Sequence, residues 1–295
     1  MFIKEIPEKL GVQSEKIINY INYMEKYNNC MHSFMLLRHN KIIAEGYWKP
    51  FTKNTKHRMY SITKTFVSTA IGLLYDEGML SLEDKIINFF PERVEKKRVH
   101  PYVTEMTIRD LLIMATPFSQ QTYKGSDMDW IDTFFTSSPS HPAGTIFNYD
   151  TSGTYILNVI VERMTGKLLM DYMYDRLLRH MNFSKDIKCI KSPEGHSWGG
   201  SGLIAKTIDV AKLATLYLNK GKWNGKQLLS EKYISEATKK QIDNNPNGEN
   251  NIYNAGYGFQ IWLLPNGDYS FIGMGNQLAI CLPRKDMVFV CTADS

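Results

Sequence analysis

Of the serines in this 295-residue chain, only one is followed three residues later by lysine, in Ser61-Ile62-Thr63-Lys64. Residues three apart on a helix share a face, so the Lys64 amine can reach the Ser61 hydroxyl. The residues that follow, Phe66, Val67, Ala70 and Leu73, are apolar at helical spacing, which predicts a buried helix. A lysine carried inside with it loses solvation of its charge, and its pKa falls. It can then accept the serine proton. A serine at a helix N-terminus also has a free backbone N–H aimed at a developing oxyanion. The chemistry open to such a pair is nucleophilic attack on a carbonyl. Serine and lysine are common, and the same spacing fits a Ser61 that caps the helix beside a solvated Lys64.

Other chemistries find less support. The seven histidines show no His-x-x-x-His or comparable spacing, and Cys30, Cys189, Cys281 and Cys291 lie far apart, so no metal is expected. Gly273-Met274-Gly275 and Gly256-Tyr257-Gly258 lack the third glycine of a dinucleotide fingerprint. Gly199 to Gly202 do not complete a Gly-x-Ser-x-Gly elbow around Ser201.

The elements that must position Ser61 and Lys64 follow from composition and periodicity. Hydrophobic residues are 43% and charged residues 22% of the chain, an ordinary globular balance. No run reaches 18 apolar residues, so no membrane span is expected. Met1 to Glu8 lack an apolar signal core. With reduced cysteines, this reads as a cytoplasmic protein. The net charge of +5 is spread along the chain and is no nucleic-acid footprint. The densest basic run, Lys96-Lys97-Arg98, reads as a solvated turn.

Residues 5 to 27 read as an amphipathic helix with Leu10, Ile17, Ile21 and Met24 on one stripe. Ser33 to Leu37 and Lys41 to Trp48, joined by His39-Asn40, read as a hairpin. A helix from about Tyr60 ends at Gly78. Thr107 with Asp110 starts another in capping-box fashion. Helices follow over Thr151 to Met164, closed by Gly166, and over Lys167 to His180. Further helices are expected from Thr207 as N-cap to Lys220, and from Ser230 to Gln241. Asp243 to Asn254, with Pro246, read as an exposed loop. Strands are expected at Tyr257 to Leu264, Tyr269 to Gly273, Gln277 to Leu282 and Met287 to Thr292, with turns at Pro265-Asn266-Gly267-Asp268 and Pro283-Arg284-Lys285-Asp286. The order of strands, helices, then strands argues for an antiparallel sheet built from both ends of the chain around a helical insertion.

Tyr60-Ser61-Ile62-Thr63-Lys64-Thr65-Phe66, with Gly78-Met79-Leu80-Ser81-Leu82-Glu83-Asp84 after the helix, resembles the penicillin-recognising serine hydrolases. These include class C β-lactamases, D-alanyl-D-alanine peptidases, related esterases and 6-aminohexanoate-dimer hydrolases. Four further segments match in order: Met106 to Met114, Pro142 to Tyr149, Gly200-Ser201-Gly202-Leu203 with Asp209, and Trp223 to Leu229. The resemblance runs from about residue 30 to the end. It implies a serine β-lactamase/DD-peptidase-like fold, α/β plus all-α, with residues 1–64 and 201–295 as the sheet domain and 65–200 as a helical subdomain. The family usually continues into a helix that packs on the sheet, whereas this sequence stops at Ala293-Asp294-Ser295. If the protein ends there, an uncovered sheet face is expected to favour association; if the sequence is a piece of a longer chain, the active-site residues are still all present.

The resemblance also implies roles. Ser61 is the nucleophile and Lys64 its proton acceptor. The family's Tyr-x-Asn motif aligns with Tyr149-Asp150-Thr151, which keeps the phenol and replaces the asparagine. Tyr149 is then a general base and acid, its pKa brought from about 10 toward 7 by the Lys64 ammonium. The third motif, Lys-Thr-Gly or His-x-Gly, is absent; the matching position is Phe271-Ile272-Gly273. The N–H groups of Ser61 and Met274 form the oxyanion hole, and Tyr60, Tyr123, Asp150, Trp198, Gly273 and Gly275 face the substrate. Trp130 and Trp262 are weaker candidates for the pocket. The Gly-x-Gly-x-Gln pattern of Gly273 to Gln277 resembles the dimer-hydrolase and esterase branch. Because Phe271 cannot hold a substrate carboxylate as a cation would, the expected function is hydrolysis of a small ester or amide through an acyl-enzyme, with no cofactor. A β-lactamase or peptidase, and a non-catalytic binding or sensor protein of the same fold, are the alternatives. The substrate and oligomeric state stay open.

Overall fold

The computed structural model describes residues 2–27, 29–96, 99–245, 248–249 and 251–294. Lys97, Arg98 and Pro246, part of the expected basic turn and exposed loop, lie outside them.

The strands are β1 (Ile3–Lys4), β2 (Met31–Arg38), β3 (Lys41–Tyr47), β4 (His57–Arg58), β5 (Lys188–Cys189), β6 (Leu203–Ala205), β7 (Lys222–Trp223), β8 (Lys226–Gln227), β9 (Trp262–Leu263), β10 (Tyr269–Gly273), β11 (Gln277–Leu282) and β12 (Met287–Ala293). Seven form one sheet in the order β1-β3-β2-β12-β11-β10-β9. All its pairs are antiparallel except β1 with β3. The sheet joins the two ends of the sequence by pairing β2 with β12, with Leu36 opposite Phe289. The β2–β3 turn places both His39 and Asn40 at positive φ, as a two-residue hairpin requires.

The helices are α1 (Ser14–Lys26), α2 (Thr63–Asp76), α3 (Pro91–Lys96), α4 (Pro101–Thr104), α5 (Ile108–Leu112), α6 (Trp130–Thr136), α7 (Thr151–Thr165), α8 (Leu169–Arg176), α9 (Thr207–Leu218) and α10 (Glu231–Ala237). The stripe on α1 packs Ile17, Ile21 and Met24 against Met31, Phe34, Cys291 and Ala293 on one face of the sheet. The opposite face receives α9. Between α9 and α7 runs α2, buried from Thr63 to Leu74 on every side. A helix with no solvent face carries whatever polar side chains it has into the core, and Lys64 is one of them.

Some local expectations change. The helix expected from residue 5 is split by Gly11 at φ 71 into a 3-10 turn (Pro7–Leu10) and α1. Thr107 and Asp110 do form a capping box, and Gly166 does close α7 in the left-handed region. Thr207 is not an N-cap: Lys206 holds that place, while the Thr207 hydroxyl bonds to Ser33 at 2.6 Å inside the core. Of the strand expected at Tyr257 to Leu264, only Trp262–Leu263 is strand, because Gln260 turns the backbone to φ 61.

Candidate active site

The nucleophile turn is a 3-10 segment, Tyr60–Ile62, leading into α2. The Thr63 hydroxyl donates to the Tyr60 carbonyl at 2.5 Å and accepts the Leu203 N–H at 3.0 Å, and the Met59 N–H donates to the Leu203 carbonyl at 2.8 Å. These bonds tie the turn to β6. Tyr60 sits at φ 46, an uncommon conformation for a bulky residue that persists only where its surroundings over-determine it. On the other side stands β10. A Cβ on Gly273 would fall well inside van der Waals contact of the Met59 carbonyl oxygen, so only glycine lets the strand come this close.

Lys64 is 1% exposed. Its Nζ lies 3.0 Å from Ser61 Oγ, 2.6 Å from the Gly200 carbonyl oxygen and 3.3 Å from Thr151 Oγ1. Among the described residues no carboxylate is in salt-bridge contact with it. Burial lowers its pKa to about 7, with the charge of Asp150 pulling it partly back. The Gly200 carbonyl reaches this amine because Gly199 and Gly200 press against α7, where side chains would collide with Asn158 and Thr151.

Tyr149 precedes α7, its ring centroid 5.0 Å from Lys64 Nζ and 5.2 Å from that of Trp262. Here the expected electrostatics are corrected. Burial pushes the phenol up to about 12, and hydrogen bonding to Ser61 and Trp262 offsets this only in part. Burial thus moves the two groups in opposite senses, the lysine down and the phenol up, and the ammonium has no counter-ion in contact among the described residues.

Two expected substrate contacts are also corrected. Asp150 is wholly buried: one carboxylate oxygen caps α7 by accepting the Ser152 N–H at 2.8 Å, and the other accepts the Thr116 hydroxyl at 3.2 Å. Burial raises its carboxyl pKa, and those bonds with the Lys64 charge pull it back. Tyr123 is 4% exposed, stacks on Trp130 at 4.0 Å, and accepts the Trp198 indole N–H at 2.9 Å. It supports Trp198 from behind. Trp130 packs with it at 6% exposure. Tyr60 and Trp198 themselves are half-buried.

Met274, 72% exposed, and Gly275, at φ 70, form the β10–β11 turn. Gln277 fixes it by donating to the carbonyls of Met274 (3.3 Å), Gly275 (2.8 Å) and Ala293 (2.6 Å). Phe271 is buried against Tyr217. Two residues at the site carried no assignment from the sequence: Thr151, noted only as a replaced asparagine, and Arg58, whose position three before Ser61 was the available signal.

A buried Ser-x-x-Lys helix against the edge of an antiparallel sheet, with a tyrosine closing the third side, defines the β-lactamase-type serine fold. The Beta-lactamase family model matches residues 22–294, and the chain belongs to that family. It is 25% identical over 281 residues to a 6-aminohexanoate-dimer hydrolase of Paenarthrobacter ureafaciens, covering 88% of this chain and 72% of that protein. A solved Bacillus anthracis structure, provisionally named as a 6-aminohexanoate-dimer hydrolase, superposes with TM-score 0.78 at 20% identity, over 92% of this chain and 75% of that one. A family VIII carboxylesterase superposes with TM-score 0.75 at 15% identity, over 100% and 93%.

Proposed function

We propose that the protein hydrolyses a carboxylic ester or amide through an acyl-enzyme on Ser61. The observation that carries this reading is the enclosed Lys64 amine, 3.0 Å from the Ser61 hydroxyl and with a pKa near 7. A neutral amine has two N–H bonds and one lone pair. The Gly200 carbonyl and Thr151 hydroxyl take the two N–H bonds, which leaves the lone pair for the Ser61 proton. Ser61 Oγ then bonds to the substrate carbonyl carbon, and the N–H groups of Ser61 and Met274 hold the oxyanion. The C–O or C–N bond breaks as the proton passes from Lys64 to the leaving group. Tyr149, a phenol at neutral pH, relays that proton as donor and acceptor. Water repeats the sequence on the acyl group and frees Ser61. Family membership and the amide and ester hydrolases among the similar proteins support this reading.

Intact mass spectrometry after fluorophosphonate treatment tests it. One adduct on the wild type and none on Ser61→Ala is the expected result; an unmodified, folded wild type refutes the reading. With Lys64 as base, kcat/KM for p-nitrophenyl butyrate rises about tenfold per pH unit below 7 and levels off above it. A rate independent of pH between 5.5 and 8.5 would remove Lys64 from that role.

A further inference from the structure

Thr151, Tyr155, Asn158 and Glu162 follow one another on α7 at spacings of four, three and four, which puts them on one face of the helix. All four meet the segment between β5 and β6. The Tyr155 hydroxyl lies 2.9 Å from Ser192 Oγ and donates to Glu194 Oε2 at 2.6 Å. Asn158 Nδ2 donates to the Ser197 carbonyl at 2.8 Å. Glu162 Oε1 accepts the Ser197 N–H at 3.1 Å, and its Oε2 accepts from His196 Nδ1 at 2.8 Å. Residue 197 is thus held by both of its backbone groups. Just beyond it, Gly199 lies against Asn158 and Gly200 against Thr151, so closely that a Cβ on either would overlap them. The next contact in the series is the Gly200 carbonyl on Lys64 Nζ, at 2.6 Å.

Asn158 and Glu162 are buried. Burial pushes the Glu162 carboxyl up, but its bonds to His196, Ser197 and Leu169 more than offset this and hold it below the usual carboxylate range. An ionised carboxylate only accepts, so His196 Nδ1 carries the proton between them. Oε1 also accepts the Leu169 N–H at the start of α8, at 2.9 Å. Capping α8 would by itself use neither the second oxygen nor Asn158. Two consecutive glycines have more conformational freedom than any other pair and do not hold a shape unaided. Their carbonyls go where the flanking residues are pinned. We propose that Asn158 and Glu162 are positioning residues: by clasping Ser197 they set the register of Gly199 and Gly200 on α7, and so place the Gly200 carbonyl on Lys64. This deepens the proposed hydrolase function and rests on it for the catalytic meaning, but not for the clasp or for the state of the amine.

The test follows the ionisation of Lys64 by carbon NMR titration of protein isotopically labelled at lysine Cε; the resonance missing from Lys64→Met is its own. The other titratable groups facing this amine are Asp150 and Tyr149, and both stay in every clasp variant. Burial is the largest cause of the low Lys64 pKa, so a segment that slips admits water and lets it rise. Asn158→Leu and Glu162→Leu are expected to raise it by about one unit or more, and to move the inflection of the pH–rate profile for p-nitrophenyl butyrate with it. Glu162→Gln keeps an acceptor for Ser197 and Leu169 and offers His196 an amide N–H, so it restores the wild-type titration. Ile160→Ala, a buried position on the opposite face of the helix, loses stability and leaves the titration unmoved. If a leucine variant does not fold, Asn158→Ala takes its place. A Lys64 titration unchanged in the folded Asn158 and Glu162 variants, or one that moves equally in Ile160→Ala, overturns the proposal. If fluorophosphonate fails to label the wild type while the clasp variants still move the Lys64 titration, the hydrolase reading falls and the clasp stands.

Discussion

Replacing Lys64 by methionine is expected to yield a folded protein that is more stable than the parent below pH 7 and catalytically dead. Lys64 is enclosed and its pKa is near 7, against an ordinary 10.5. In the unfolded chain the amine keeps its proton up to about 10.5. Between these values the unfolded state binds more protons than the native one, so native stability rises with pH through that window. The cost of enclosing Lys64 is thus complete below pH 7 and disappears above 10.5. A shift of this size corresponds to on the order of 5 kcal/mol. Methionine fills the space but leaves the Gly200 carbonyl without its donor, at about 2 kcal/mol. The net gain is roughly 3 kcal/mol at pH 6, shrinking as pH rises. Loss of a proton acceptor that acts as a unit with the nucleophile costs about four orders of magnitude in kcat. Urea unfolding at pH 6 and 9, with ester turnover, measures both. A variant less stable than wild type at pH 6, or one retaining a tenth of the activity, contradicts the account.

The second large effect concerns Gly273. Its Cα faces the Met59 carbonyl so closely that alanine's methyl group would overlap that oxygen. The obstacle is backbone on both sides and cannot rotate away. Either β10 withdraws or the Met59–Ser61 turn does, and the two proposed oxyanion donors separate. A misplacement of about 1 Å at a reacting centre costs on the order of a hundredfold in rate, and the overpacking costs about 1–3 kcal/mol. Gly273→Ala is therefore expected to lose about a hundredfold in kcat while still taking up fluorophosphonate, though slowly. Full activity in this variant would show that the two segments do not need their close approach.

Much of this architecture was legible because it obeys short periods. The α1 stripe, the His39-Asn40 hairpin, the Thr107–Asp110 box and the last three strands each carry a local signal. What failed did so where tertiary context spent a residue elsewhere. Thr207 looks like a cap, but its hydroxyl is used by Ser33. Tyr257, Phe259 and Ile261 are apolar because they are buried, not because they form a strand. Spacing and an apolar helix put Ser61 and Lys64 on one face but fit a capping serine as well; the ordered family segments single them out. Tyr149 is singled out by the family resemblance alone, and its pKa does not fall toward 7 because burial of the phenol raises it. Asp150 faces the substrate in the reading that the resemblance implies and is a core N-cap in the fold. Arg58 had no periodic signal: its guanidinium lies over the rings of Tyr60 and Trp198, separated by 138 positions in the chain.

The central place of β12, between β2 and β11, bears on how the protein is made. A growing chain that has passed residue 260 already contains Ser61, Lys64 and Tyr149. It lacks Gly273 and Met274 beside the turn, and it lacks the strand that bridges the early hairpin to them. Pairings that span over 250 residues form late, after the local helices. On the ribosome the nascent protein would hold Ser61 and Lys64 without the proposed site complete until residue 293 has emerged, and the proposed hydrolysis would begin only once the sheet closes.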